Sequence, residues 1–128
     1  MNLENPAMST LRKVCPFIPA GDNVLRTIEF YEQKLGFKRQ WQNSADPELA
    51  LIVRDQVELF LQKNPDLFFA EWATLRIEVR DVAGLYREVL DRDPALIHPN
   101  GALEKKSWGS TDFTILDLNG VCITFYEF

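Results

Sequence analysis

Residues 30–37 read Phe-Tyr-Glu-Gln-Lys-Leu-Gly-Phe, and within this stretch one element of the chain ends and the next begins. Up to Leu35, apolar residues recur at spacings of three and four, which is the pattern of an amphipathic helix. The apolar residues of this pattern are Val24, Leu25, Ile28, Tyr31 and Leu35. Asp22 precedes the pattern as a helix N-cap, and Gly36 follows it as a residue suited to the left-handed conformation at a helix C-terminus. The sequence therefore predicts a helix over residues 23–35, followed by a strand over 37–43.

Strand-like segments flank this helix on both sides. Residues 14–20 form a short apolar run before it, and the two prolines in the run exclude a central helix there. After the strand over 37–43, two further apolar runs follow at 49–54 and 57–62, and the polar residues between them fit a hairpin turn. The first half of the chain therefore has the predicted order βαβββ.

The same order starts again after a break that contains proline. A strand is predicted over residues 72–79, followed by a helix over 82–91 that Asp81 caps. Three more strands are predicted at residues 102–107, 111–116 and 121–128. An Asn-Gly pair between the last two is a strong hairpin signal. The chain is thus predicted to be an α+β protein built from two βαβββ modules.

The length of 128 residues suits one compact domain with a substantial core. We predict a single domain over residues 1–128, in which two repeats, at about 14–62 and 72–128, follow a loose N-terminal arm. Each half alone is too small to bury its sheet, so the two halves are expected to pair within that domain. The period is too long for a solenoid and indicates two fused halves.

Composition excludes several classes of function. The chain carries 14 Lys and Arg against 19 Asp and Glu, a net charge of −5, and offers no basic stripe to a nucleic acid. Its single histidine, His98, cannot supply sites that need two or three histidines, and its loop predicts a surface position. Cys15 and Cys122 have apolar neighbours and are predicted to be buried free thiols. No apolar run has the length of a membrane span, and residues 1–12 lack the apolar core of a secretory signal, so we predict a cytoplasmic protein without a membrane partner.

Two motifs resemble those of a known family. Residues 30–37 resemble the FY-x-x-x-LGF segment that ends the first helix in the vicinal oxygen chelate superfamily, which includes glyoxalase I, extradiol dioxygenases and bleomycin-resistance proteins. Residues 117–120 resemble its terminal D-P-x-G turn, with Leu118 in place of the usual proline. The resemblance implies that the two modules form a curved cup of mixed sheet, the glyoxalase/bleomycin resistance fold, and that the protein is a dimer with shared or swapped elements.

Three further motifs resemble the bleomycin-resistance group in particular. They are the proline-bearing first strand at residues 15–19, the Val-Glu-Leu-Phe-Leu strand at 57–61 and the Ser-Trp-Gly loop at 107–109. Proteins of this group form dimers with grooves at the interface, and aromatic side chains near the Trp-Gly loop stack on the drug. The resemblance therefore implies a ligand contact for Trp108.

Enzymes of the superfamily hold a divalent metal ion through one ligand, usually His or Glu, from each of four strands. The duplication places the corresponding positions at Cys15, Phe60, Thr74 and Thr124. A thiol, a phenyl ring and two hydroxyls cannot assemble a site of His and Glu ligands for such an ion, and Glu58 adds only one carboxylate. We therefore expect no metal, no cofactor and no catalytic residue, and a binding protein is favoured over an enzyme.

Without a metal, the curved sheet becomes a cup whose lining decides the function. The candidate ligand-binding residues are Trp108, Trp41, Phe60, Glu58, Trp72 and Tyr126. Flat rings supply stacking and cation–π attraction, and carboxylates orient a positive charge, so this lining suits a planar or cationic drug-like ligand. Each residue also has a plainer interpretation, because a Trp can belong to the core or to a dimer interface and Glu58 can pair with Arg76.

Two functions follow from these observations. The first is a non-catalytic small-molecule binding protein that resembles bleomycin-resistance proteins and sequesters its ligand in a groove of a homodimer. The alternative is a divergent enzyme of the glyoxalase/dioxygenase superfamily that acts on a small metabolite, metal-free or with an unrecognised metal site. A third possibility, a purely structural dimerisation module, predicts a cup filled by side chains.

Overall fold

The first module is a four-stranded sheet with one helix packed against it. The structure, a computed structural model, describes residues 8–128. The elements of this module are β1 (Phe17–Pro19), α1 (Val24–Leu35), β2 (Lys38–Gln42), β3 (Leu49–Arg54) and β4 (Val57–Gln62). The strand order is β1-β4-β3-β2, with β1 parallel to β4 and the other pairs antiparallel.

The second module repeats this arrangement after a short connecting helix, α2 (Leu67–Trp72). Its elements are β5 (Thr74–Glu78), α3 (Val82–Arg92), β6 (Glu104–Lys105), β7 (Thr111–Leu116) and β8 (Cys122–Glu127). The strand order is β5-β8-β7-β6, and β5 is parallel to β8. The predicted α+β fold of two βαβββ modules with mixed sheets is therefore confirmed.

Local chemistry explains where the two long helices begin. The side chain of Asn23 accepts a hydrogen bond from the Arg26 N–H, so Asn23 is the N-cap of α1 and the prediction of Asp22 for this role is wrong. Asp22 lies one residue too far from the first helical turn to take this position. In the second module Asp81 is the N-cap of α3, as predicted, and its carboxylate accepts from the Gly84 N–H.

Two predicted strands are shorter than expected. Of residues 14–20, only Phe17–Pro19 pair in the sheet. Proline has no N–H to donate, which limits pairing around Pro16 and Pro19. Of residues 102–107, only Glu104–Lys105 pair, at the edge of the second sheet.

The helix α2 is absent from the predicted elements, and its last residue, Trp72, is not the start of a strand as predicted. The carboxylate of Asp66 caps this helix by accepting a hydrogen bond from the Phe68 N–H. A helix of six residues is too short to display a helical period in the sequence, which explains the error.

The helices of the two modules meet in a common core. The helix α1 packs on the first sheet, α3 packs on the second, and the two helices contact each other. Burial alternates along the strands, so one face of each sheet contributes to the core and the other does not. Within residues 8–128, no helix has the length and apolar character that crossing a membrane requires.

A buried hydrogen bond joins the two modules. Tyr31 of α1 is fully buried and donates its hydroxyl to Asp117, in the turn between β7 and β8, at 2.7 Å. Asp117 also accepts from the backbone N–H groups of Asn119 and Val121, at 2.8 and 3.0 Å. Asn119 in turn donates to the hydroxyl of Thr27 on α1 at 3.0 Å. The second hairpin is thus fixed to the first helix by polar contacts that are largely shielded from water.

We expect Tyr31→Phe to lower the free energy of unfolding by about 1–3 kcal/mol, because the buried Asp117 carboxyl loses a hydrogen-bond donor that water cannot replace. Urea unfolding followed by circular dichroism measures the change. The matched control is Tyr86→Phe, since Tyr86 packs its ring on Phe113 and its hydroxyl forms no hydrogen bond with another of the described residues. Equal losses in the two variants would contradict a special role for the Tyr31 hydroxyl.

Asp117 also gives the stability a pH dependence. Burial raises the pKa of its carboxyl above the ordinary value, although the hydrogen bonds from Tyr31 and the backbone oppose this shift. A carboxyl with a higher pKa in the folded state stabilises the fold fully below its unfolded pKa of about 3.9, and this contribution is lost as the pH rises through the folded-state pKa.

Asp117→Asn does not titrate at this position, so its stability relative to the wild type is expected to increase from about pH 4 to about pH 7. Urea unfolding of both proteins across that range measures the difference in free energy. The comparison cancels the titration of all other groups, so a difference that stays constant or decreases with pH would refute the prediction.

Candidate functional site

Each sheet has an outer face, on the side away from its helix. In β4 and β8 most residues at every second position are buried beneath the helices, whereas the residues between them are only partly buried or exposed. The outer face of β5 carries three exposed residues, Thr74, Arg76 and Glu78. The predicted lining of a cup belongs on these outer faces, so the two faces are the candidate site.

The outer face of the first sheet carries a row of apolar side chains across all four strands. The strand register places Phe17 of β1 beside Phe60 of β4. Leu51 of β3 lies between Phe60 and Trp41 of β2. The rings of Phe17 and Phe60 stack with centroids 4.8 Å apart and 10° between their planes, and the Trp41 ring lies 6.1 Å from that of Phe60. We call these four residues the aromatic face; within it Phe17 is 60% exposed and Trp41 46% exposed.

A carboxylate accompanies the aromatic face. Glu58 has the same parity as Phe60 on β4, and one of its oxygens lies 2.6 Å from the ammonium group of Lys13. Lys13 is largely exposed, and an exposed ion pair of this kind contributes about 0–1 kcal/mol. Arg76, a partner that the sequence allows for Glu58, lies in the other sheet and forms an ion pair with Asp112 instead. A cation can therefore compete with Lys13 for Glu58 at low cost.

The outer face of the second sheet is polar. The register places Arg76 of β5 beside Thr124 of β8, and Thr124 beside Thr114 of β7. The guanidinium carbon of Arg76 lies 4.4 Å from the centroid of the Tyr126 ring. Tyr126 is in register with Asp112 of β7. We call these five residues the polar face.

Trp108 lies next to the polar face, in the loop between β6 and β7, and is 61% exposed. Its indole N–H donates to the hydroxyl of Ser110 at 2.8 Å, and Ser110 donates to Oδ1 of Asp112 at 2.6 Å. The other carboxylate oxygen of Asp112 lies 3.6 Å from Nη1 of Arg76. Two hydrogen bonds and one ion pair therefore connect the exposed indole to the guanidinium.

The structure brings five of the six candidate ligand residues to the outer faces. Trp41 and Phe60 belong to the aromatic face and Glu58 accompanies it, whereas Tyr126 belongs to the polar face and Trp108 lies beside it.

Trp72 lies apart from the outer faces, in α2. It is 75% exposed, and its ring lies 6.1 Å from that of Phe68 in the same helix. A ligand contact for Trp72 stays a prediction.

Sequence reasoning missed Ser110 and Asp112. Both are buried, with 0% and 3% exposure, although they are polar. The signal available in the sequence was a carboxylate within the otherwise uncharged strand Thr111–Leu116. Its partners could not be identified in advance, because they come from a loop and from a different strand.

The four positions that hold metal in enzymes of the superfamily carry unsuitable side chains. Burial and the nearby Glu58 raise the pKa of the Cys15 thiol, which favours the protonated form, whereas the thiolate is the metal ligand. The Thr124 hydroxyl is hydrogen-bonded to that of Thr114 at 2.8 Å. Within residues 8–128, no three His, Cys, Asp or Glu side chains are grouped as a metal site would require. The residues at these positions therefore do not fit such an ion.

A separate groove of about 890 Å³ opens between the modules, where the β3–β4 turn approaches the end of β5 and the start of α3. Its lining is rich in charge and includes Arg54, Arg80 and Glu88. Arg54 and Glu88 form an ion pair at 2.9 Å across the two modules. The groove contains none of the six candidate residues, and ligand pockets are predominantly apolar, so the outer faces are the better candidate site.

Comparison with known proteins agrees with this architecture, although no family model matches the chain. A bleomycin resistance protein of Geobacillus stearothermophilus is 26% identical over 129 residues, covering 88% of this chain and 93% of the relative. The structure of a bleomycin-binding protein complexed with bleomycin has a TM-score of 0.75 at 21% identity, covering 92% of this chain and 99% of the other. A bleomycin-binding protein from Streptomyces verticillus, complexed with copper(II)-bleomycin, has a TM-score of 0.77 at 21% identity, covering 92% and 97%. The predicted resemblance to the vicinal oxygen chelate superfamily, and within it to the bleomycin-resistance group, is confirmed.

Proposed function

We propose that this chain is a non-catalytic binding protein that sequesters a planar, cationic drug-like molecule of the bleomycin class. The observation that carries the proposal is the aromatic face, a row of apolar side chains that crosses four strands and stays open to solvent. Large exposed apolar patches are uncommon on monomeric proteins and mark binding surfaces. The likeness to a bleomycin resistance protein supports this class of ligand.

The chemistry of the two faces suits such a ligand. Phe60 and Trp41 offer ring surfaces to a flat heteroaromatic group, and Trp108 offers an indole plane beside the polar face. A positive charge on the ligand is attracted to aromatic rings and to the Glu58 carboxylate. The net charge of −5 favours the approach of a cation over that of an anion.

We further propose that the site is a groove between two copies of the chain. In a symmetric dimer each copy contributes the same surfaces, so the aromatic face of one chain can lie opposite the polar face of its partner, which creates two equivalent grooves. The exposed N-terminal segment supports this arrangement, because Met8, Leu11 and Val14 are 70%, 99% and 84% exposed in the isolated chain. Burial of such apolar side chains against a second chain would stabilise the dimer.

A cytoplasmic location fits the same proposal. Cys15 and Cys122 are both free thiols in the structure, and free thiols persist in reducing compartments. A protein that sequesters a drug there would lower its free concentration inside the cell without chemical conversion.

Bleomycin is the ligand that tests the proposal. We expect it to quench the tryptophan fluorescence in a saturable way, with half-saturation at or below tens of micromolar, a range that corresponds to at least about 6 kcal/mol of binding free energy. Trp108→Ala is expected to weaken binding about 30-fold, since removal of a central aromatic contact typically costs about 2 kcal/mol. Isothermal titration calorimetry gives the dissociation constants independently of fluorescence.

Trp41→Phe and Trp72→Phe complete the comparison among the tryptophans. The first keeps a ring on the aromatic face and the second alters α2, so both are expected to bind more tightly than Trp108→Ala. If the wild-type protein shows neither quenching nor heat at tens of micromolar, which would place any binding free energy below about 6 kcal/mol, bleomycin is not the ligand.

The oligomeric state has its own test. We expect sedimentation equilibrium to give about twice the chain mass of 14.8 kDa. Leu11→Asp is expected to weaken the dimer, because it places a charge on an apolar side chain that the proposal buries. Ala102→Asp makes the same kind of change at another exposed position and serves as the control. A monomeric wild-type protein at tens of micromolar, a concentration at which association worth about 6 kcal/mol is visible, would refute the shared groove.

A further inference from the structure

Asp112 occupies an unusual place on the polar face. By the alternation of β7 it belongs to the outer side of the sheet, in register with Tyr126, yet it is only 3% exposed. A buried carboxylate is costly unless hydrogen bonds and an opposite charge compensate it. The partners that compensate the charge of Asp112 also link this carboxylate to the exposed residues of the candidate site.

The two carboxylate oxygens have different partners. Oδ1 accepts from the hydroxyl of Ser110 at 2.6 Å, and Ser110 itself accepts from the Trp108 indole N–H at 2.8 Å. Oδ2 lies 3.6 Å from Nη1 of Arg76, whose guanidinium lies over the Tyr126 ring. One buried carboxylate is therefore linked to an exposed indole on one side and to a half-exposed guanidinium on the other.

We propose that Asp112 and Ser110 are positioning residues that hold Trp108 and Arg76 in a fixed relation, and that Arg76 donates to a carbonyl, carboxamide or carboxylate oxygen of the bound ligand. This inference rests on the function proposed above and specifies its ligand further. The ligand is a molecule with a flat ring system and, close to that ring, an oxygen that accepts hydrogen bonds.

Arg76 has donor capacity to spare. A guanidinium carries five N–H donors, and a single ion pair at 3.6 Å cannot use them all. Its side chain is 49% exposed, so a ligand on the polar face can reach it. The Tyr126 ring beneath the guanidinium and the charge of Asp112 hold the group in one place, which reduces the entropy lost on binding.

The loop around Trp108 is shaped so that the indole depends on Ser110. The backbone N–H of Lys106 donates to the Ser110 carbonyl at 2.7 Å, and Gly109 has φ +105°, so the chain makes a tight turn that projects Trp108 outward. A side chain that is 61% exposed has few packing contacts to fix its rotamer. The hydrogen bond from the indole to Ser110 therefore supplies the orientation that stacking requires.

The first experiment needs no ligand. In a protein with Trp41→Phe and Trp72→Phe, Trp108 is the remaining tryptophan, and its time-resolved anisotropy under excitation selective for tryptophan reports local motion. We expect Ser110→Ala to increase this motion, whereas Ser107→Ala, which removes an exposed hydroxyl from the same turn, leaves it unchanged. Asp112→Asn retains an acceptor for Ser110 and is expected to leave the motion unchanged as well. If Ser110→Ala does not fold, Ser110→Cys fills the same space with a group that forms only weak hydrogen bonds.

The second experiment measures bleomycin affinity in double-mutant cycles. We expect Ser110→Ala to weaken binding about 3- to 10-fold in the wild-type background and to have no further effect in Trp108→Ala, because coupled residues are not additive. Asp112→Asn is expected to weaken binding by a similar factor and to lose its effect in the Arg76→Gln background. A residue that merely stabilises the fold would show the same loss in both backgrounds.

The outcomes separate this inference from the proposed function. Unchanged Trp108 motion in Ser110→Ala, or affinity losses that persist in the Trp108→Ala and Arg76→Gln backgrounds, would overturn the positioning role. If bleomycin does not bind the wild-type protein at all, the proposed function fails for that ligand, and the anisotropy experiment still decides whether Ser110 orients Trp108.

Discussion

The hydrogen bond from Tyr31 to Asp117 is the interaction on which the arrangement of the two modules depends. It lies in the buried junction between the first helix and the last hairpin, where an unpaired carboxyl would carry a large desolvation penalty. The hydrogen bond from Asn119 to Thr27 stabilises the same junction. Gly21 lets its own segment of the chain approach the Asn119 side chain closely there. A Cβ added at Gly21 would lie 2.5 Å from the Asn119 side-chain oxygen, and the φ of +72° is itself strained for other residues. The junction therefore fixes α1 against the second module.

This junction decides which surfaces stay open. Because α1 and α3 meet in the core, the face of each sheet that lies against its helix is covered by other parts of the same chain. Among residues 8–128 the outer faces then have no helix of their own to cover them, and the stacked rings of Phe17 and Phe60 face away from the core. Contact with a ligand or a second chain removes this apolar row from water, and that burial is favourable. The binding proposal and the dimer proposal thus have one structural origin.

Most of the fold could be predicted from the sequence because its signals are local. The spacing of Val24, Ile28 and Tyr31 predicts α1, and alternation in β3 and β4 predicts both the strands and the parity of Glu58 and Phe60. The helix α2 and the place of Trp72 could not be predicted, because six residues show no period and the cap at Asp66 resembles an ordinary turn. Asp112 and Ser110 were missed for a different reason. Their significance comes from Arg76 and Trp108, which are brought to them by strand register and by a loop.

The side chains at the superfamily's metal positions also explain why the charged groups of the candidate site do not lie at those positions. An enzyme with four ligands on these strands concentrates charge at the centre of its cup, where a metal ion compensates it. In this chain two of the corresponding positions carry Phe60 and Thr124, and the carboxylate beside the aromatic face, Glu58, is paired with Lys13. The remaining ionic contact of the polar face, between Asp112 and Arg76, lies to one side and is compensated within the chain. The two faces together therefore offer flat rings and oriented donors, which are groups that hold and orient a ligand.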